Sequence, residues 1–225
     1  MKNYKELATN LNKELGMTDL VMMTFGNASI ISEDRSKIYI KPSGVNYENL
    51  TIEEISVVST NDGVLLEGLK PSVDLNIHIE IYRNFTNVNS IIHTHSKYAT
   101  IFAQNKKTIP IKGTTHADYF KNDIPITEEL SIGEIENNYE LNIGKKVVNL
   151  FKKISPEETP AALIANHGCV VFGKDSKQSL ENALLLEYIA ELAFFNNNFT
   201  NSKNEDYLYQ YHNLRKHGKE KYYGQ

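Results

Sequence analysis

The sequence predicts an α/β fold: a three-layer α/β/α arrangement around a central, largely antiparallel sheet. Three observations predict it. Short β-branched runs lie close together between Gly, Asn, Asp and Pro, stretches of helical period interrupt them, and 225 residues at 40% hydrophobic content can bury one sizeable core. A soft prior of about 150 residues per domain favours one domain over two, so residues 1–225 are expected to form a single unit.

Each element has its own reason. Tyr4, Leu7, Ala8, Leu11 and Leu15 recur at helical spacing, and Gly16 supplies a stop. Four short runs then read as strands: Leu20 to Thr24, Ser29 to Ser32, Lys37 to Lys41 and Ile55 to Ser59. Their close spacing favours antiparallel neighbours. From Val73 to Asn84 the period becomes helical, with Val73, Ile77 and Ile81 on one face and Asp74 and His78 a turn apart on another. Val88 to His95 reads as a strand, Ser96 to Ala103 as a short helix and Leu141 to Phe151 as a longer one. Ala161 to Ala165 and Cys169 to Phe172 read as strands flanking Asn166-His167-Gly168. Asp175-Ser176 offers an N-cap for a helix over Leu180 to Phe195, and the Asn-rich stretch from Asn196 to Asn204 reads as a loop.

Composition narrows the function classes. A formal charge of -4, from 24 Lys+Arg against 28 Asp+Glu, gives no sequence-wide basic field, so no nucleic-acid partner is expected. Cys169 alone cannot close an intrachain disulfide, which points to a reducing compartment. No run approaches the ~20 apolar residues of a membrane span, so no membrane partner is expected and the location is cytoplasmic by elimination. The sequons at Asn27, Asn84 and Asn198 are then chance matches.

The sharpest chemical signal is His93-Thr94-His95. Side chains two apart on a strand point to one side, where two imidazoles can share a metal. Two histidines that only hydrogen-bond at a strand end give the same spacing. His167, in a turn between two apolar runs, is a third ligand or a plain turn histidine, while Asp74 and Asp118 are further carboxylate ligands or ordinary caps and loop acids. Thr24-Phe25-Gly26-Asn27-Ala28-Ser29 and Lys41-Pro42-Ser43-Gly44 have the makings of oxyanion cradles, a composition that simple turns share. Ser72 reads as an N-cap or as an anion contact at a helix start.

Lys41-Pro42-Ser43-Gly44-Val45, His93-Thr94-His95-Ser96, the block Gly113 to Phe120, Asn166-His167-Gly168, Leu214 to Gly218 and the ending Tyr222-Tyr223-Gly224-Gln225 occur in that order. Together they resemble the class II aldolase and epimerase family over essentially the whole chain. The Gly113 to Phe120 block and the ending favour its epimerase branch. The resemblance implies a class II aldolase-like fold. It also implies a metal site at Asp74, His93, His95 and His167, holding Zn2+ or another divalent ion such as Mn2+. Sugar-phosphate contacts fall on Gly26, Asn27, Ser43, Gly44 and Ser72, continuing through Val73 and Asp74, and the proton donor and acceptor fall on Asp118 and Tyr223. The family pattern has two serines before the metal aspartate, where this chain has Ser72 and Val73.

The implied activity is inversion of carbon 4 of a 2-ketopentose 5-phosphate, interconverting the L-ribulose and D-xylulose forms. The hydrogen on that carbon is not adjacent to the carbonyl, so the bond between carbons 3 and 4 must break and re-form in a retro-aldol and aldol sequence. The partners implied are a small sugar phosphate and other copies of the chain, in a homotetramer whose active sites lie between subunits and receive the C-terminal tail. Two rivals stand beside this reading. One is a metal-dependent aldolase of a phosphorylated ketose, against which Asp74 in place of Glu and the Tyr-Tyr-Gly-Gln ending both argue. The other is a metal-free structural or binding homologue, which the intact three histidines disfavour.

Overall fold

The computed structural model describes residues 3–196, 205–219 and 221. Its seven strands are β1 (Asn27–Ile31), β2 (Lys37–Ile40), β3 (Ser56–Ser59), β4 (Leu65–Glu67), β5 (Ser90–Thr94), β6 (Ala161–Ile164) and β7 (Gly168–Gly173). They form one sheet in the order β4-β3-β2-β1-β5-β7-β6, and every neighbouring pair is antiparallel. The helices are α1 (Tyr4–Gly16), α2 (Leu75–Asn84), α3 (Lys97–Gln104), α4 (Thr114–Tyr119), α5 (Ile132–Glu136), α6 (Tyr139–Leu150), α7 (Ser176–Asn196) and α8 (Glu205–His217).

Strands β1, β5, β6 and β7 are buried on both faces, and their side chains alternate between two cores as a period of two demands, whereas the edge strand β4 is exposed. Ile30, Ile92, Leu163 and Val171 join the core under α1, α3 and α7. Their chain neighbours Ile31, Ile91, Ile164 and Val170 join the core under α2 and α6. Helices cover both faces, so the three-layer expectation holds. Among the described residues, no helix is long and apolar enough to cross a membrane.

Several expectations need correction. Leu20 to Thr24 pairs with no strand and forms turns, with Met22 and Met23 exposed and Met23 in the left-handed region at φ 55°. The edge strand β4 and the short helices α4 and α5 lie outside the expected set, as does α8. Gly16 closes α1 by close approach: its φ is not positive, but a Cβ there would lie 2.3 Å from Tyr47 Cβ. Helix α2 starts at Leu75, two residues later than expected, with Asp74 rather than Ser72 as its N-cap. Ser72 instead takes the Asp74 N–H on its hydroxyl at 3.3 Å. The expected Asn-rich loop falls mostly outside the described residues.

Candidate active site

The histidines come together where two chain segments meet at one end of the sheet. β5 presents His93 from within the strand and His95 just beyond its end. Opposite them, the turn between β6 and β7 carries His167. Asn166 holds the left-handed conformation of that turn at φ 61°, a region asparagine tolerates better than most residues. Gly168 lets the turn press in, because a Cβ there would lie 2.5 Å from the Thr94 carbonyl and 2.8 Å from the His95 ring. One ligand atom from each of His93, His95 and His167 lies within 4.8 Å of the others.

The electrostatics suit a cation. Burial is the largest cause pushing the His167 imidazole down to about 4, and His93 and His95 add to it; burial likewise lowers His95. These two rings are neutral bases at neutral pH. His93 Nδ1 lies 2.9 Å from the Cys169 carbonyl, which only accepts, so Nδ1 carries the proton and Nε2 presents a lone pair. That Nε2 lies 3.2 Å from His95 Nε2. Asp74 stands beside the group, with Oδ2 3.9 Å from His93 Nε2. Burial opposes its ionisation, but the neighbouring imidazoles of His93, His78 and His167 and the Asn27 amide outweigh it and hold the carboxyl below its usual range. Three imidazoles and a carboxylate form a donor set suited to Zn2+ or a similar divalent ion, and the Cys169 carbonyl supplies outer support.

The expected anion-binding segments adjoin this corner. Ser43 N–H donates to the Lys70 carbonyl at 3.0 Å and Ser72 N–H to the Lys41 carbonyl at 3.2 Å, laying the two turns side by side. Gly44, at φ 74°, has open space where a Cβ would stand. Gly26 packs against β5, where a Cβ would lie 2.8 Å from the His93 carbonyl. Asn27 is tied inward: its Nδ2 donates to Asp74 Oδ2 at 2.8 Å and to Ser72 Oγ at 3.0 Å. Val73 is 63% exposed. Lys41 is buried beneath the turns with its ammonium 4.6 Å from the Tyr47 ring centre, and burial lowers it to about 8.

Asp118 lies outside the three-histidine group. It sits on α4, buried, and α8 closes over it: His212 Nδ1 lies 2.9 Å from Oδ1, and Arg215 Nη2 donates to Oδ2 at 3.5 Å. Tyr223 lies outside the described residues. Sequence reading missed His212 as the partner of Asp118, and Tyr139, whose ring stacks on His167 with its hydroxyl 3.4 Å from Nδ1. These contacts span 94 and 28 positions, so no local period announces them.

Comparison with known proteins shows the family and the fold. Residues 6–194 match the family model for the Class II Aldolase and Adducin N-terminal domain. L-ribulose-5-phosphate 4-epimerase UlaF of Salmonella paratyphi C (strain RKS4594) is 38% identical over 227 residues, covering 100% of both chains. The protein of the same name from Salmonella typhi is 39% identical over 228 residues, again covering 100% of both. Among solved structures, an L-fuculose 1-phosphate aldolase matches with a TM-score of 0.75 at 24% identity, over 94% of this chain and 96% of that one. YgbL of Klebsiella pneumoniae, described as a putative aldolase/epimerase/decarboxylase, matches with a TM-score of 0.71 at 22% identity, over 92% and 98%. At those identities the structural likeness concerns the fold.

Proposed function

The chain belongs to the class II aldolase and adducin N-terminal domain family, and from that premise we propose that it is a metal-dependent epimerase interconverting L-ribulose 5-phosphate and D-xylulose 5-phosphate. The observation that carries the reading is the convergence of His93, His95 and His167 beside Asp74, in a chain that matches 4-epimerases from end to end. His93, His95, His167 and Asp74 would hold the divalent ion, with Zn2+ the first choice and Mn2+ an alternative. A bound divalent ion supplies Lewis-acid polarisation of the ketone, worth several kcal/mol to the charge that develops there.

The chain's own residues divide the remaining work. Gly26, Asn27, Ser43, Gly44 and Ser72 bound the phosphate corner, where backbone and hydroxyl groups fix one end of the substrate. Asp118 and Tyr223 are the acid/base pair, one for each face of the aldehyde. One takes the proton of the 4-hydroxyl as the bond between carbons 3 and 4 breaks, leaving a dihydroxyacetone enediolate and glycolaldehyde phosphate. The aldehyde turns, the bond re-forms on its other face, and the second group returns a proton to the new alkoxide. Asp118 lies apart from the triad within one chain, which favours a homotetramer whose sites form between subunits and include the neighbour's tail. Residues 1–225 act in it as one domain, and the location is cytoplasmic.

The deciding assay follows conversion of L-ribulose 5-phosphate to D-xylulose 5-phosphate with and without a chelator. Turnover that disappears with chelator and returns with divalent ion is expected. No turnover in metal-replete protein overturns the reading, and accumulation of free aldehyde in place of epimer would identify an aldolase.

A further inference from the structure

The buried face of helix α2 is apolar except along one stripe. Asp74, at its N-cap, and His78 and Tyr82 within it recur every four residues, so they share one side of the helix. That stripe meets β1, where Asn27 and Ser29, two apart, share a face. Asn27 Nδ2 donates to Asp74 Oδ2 at 2.8 Å. Ser29 Oγ lies 2.7 Å from His78 Nδ1 and 2.8 Å from the Tyr82 hydroxyl, which donates to the Ser29 carbonyl at 3.0 Å. With the Tyr82 proton given to that carbonyl, the Ser29 hydroxyl donates to Tyr82 and accepts from His78 Nδ1.

This seam is costly. His78 is fully buried and its Nε2 has no protein partner, nor does the buried Oδ1 of Asn27. Leaving a buried polar atom unsatisfied is destabilising, whereas an aliphatic side chain among Ile77, Ile79 and Ile81 would pack without that cost. A helix resting on aliphatic contacts alone can shift along a sheet with little change in buried area, but directional hydrogen bonds define one register. The register matters here because β1 pairs directly with β5, with Asn27 opposite His93. The seam therefore ties the helix that carries Asp74 to the strand pair that carries the first histidine.

We infer that His78 is a positioning residue of the metal corner, holding Asp74 in register with His93 through Ser29. The inference rests on the metal reading given above. His78 itself lies outside the three-histidine group.

The test is Co(II) binding by chelator competition, with the visible spectrum of the Co(II) protein and the thermal stability of the metal-free form measured alongside. His78→Leu should fold, bind Co(II) about 10–100-fold more weakly, as loss of outer support to a metal ligand does, and show an altered spectrum. His78→Asn can still reach Ser29 and should recover most of that affinity. Ser29→Ala, which breaks the seam from the strand side, should weaken binding in the same range, and it decides alone should His78→Leu not fold. Wild-type affinity and spectrum in folded His78→Leu or Ser29→Ala overturn the inference, as does His78→Asn as weak as His78→Leu. Wild-type protein that takes up no Co(II) overturns the metal reading itself, and the inference falls with it.

Discussion

Val73 puts an isopropyl group where the family pattern has a second serine, directly before Asp74 and largely exposed. A serine hydroxyl there would add one hydrogen bond to the phosphate corner. Such a bond is worth about 1 kcal/mol net, and about 1.4 kcal/mol corresponds to tenfold in affinity. Val73→Ser should therefore lower KM for the sugar phosphate roughly fivefold and leave kcat unchanged, because the phosphate lies away from the bond that breaks. Steady-state kinetics on metal-loaded protein check it. An unchanged KM would mean that Ser72, Ser43 and the backbone already saturate the corner. The same substitution should not disturb the carboxylate, whose hydrogen bonds come from Asn27 and Ser72.

Helix α3 begins right after His95, yet its N-cap residue Ser96 makes no side-chain cap bond. The cap comes from across the fold: Glu187 on α7 accepts the Tyr98 N–H at 2.7 Å and the Ala99 N–H at 3.0 Å, placing negative charge at the helix start. Glu187→Ala should cost about 1–2 kcal/mol, the upper range for loss of a cap, and lower Tm by about 3–6 °C for a chain of this size; thermal denaturation of metal-free protein measures it. That contact illustrates what the sequence could not disclose. The long helices α2, α6 and α7 and the doubly buried strands were legible because each carries a complete apolar period or run. His93 and His95 were legible from their spacing, and Asn166-His167-Gly168 from its turn chemistry. Helices of five and six residues, such as α5 and α4, hold too little period to read, and α8 is held to α4 largely by polar contacts such as His212 to Asp118 and Asn213 to the Ala117 carbonyl. Leu20 to Thr24 looked like a strand because composition does not reveal whether a neighbour is available to pair.

Across the whole molecule, two buried imidazoles couple stability to pH. Burial lowers His116 to about 4 and His78 to about 3, from 6.5. Above pH 6.5 both are neutral whether the chain is folded or unfolded, and stability is full. As pH falls from 6.5 towards 4 the unfolded chain binds protons that the folded one refuses, so stability falls over that window, each imidazole contributing at most about 1.4 kcal/mol for every pH unit crossed. Tm measured between pH 7 and 4.5 should drop steadily, and a flat profile would refute it. Assembly is the other property at this scale. Met22, Met23 and Phe25 are exposed on the loop beside the histidines, and the Phe25 ring stacks on His95 at 6.3 Å, so the site's rim carries an apolar surface of the kind subunits bury. If the tail of one subunit completes the site of the next, a single site draws its metal ligands and its tyrosine from different chains. His95→Asn alone should then lose metal and turnover together, and Tyr223→Phe alone should keep metal and lose most turnover. Co-expressed in equal amounts, the two inactive chains should regain about one quarter of wild-type activity, since that share of randomly assembled sites pairs an intact metal half with an intact tyrosine. Sites built within one chain would recover nothing from the same mixture, which makes the recovered fraction a direct reading of where the tail docks.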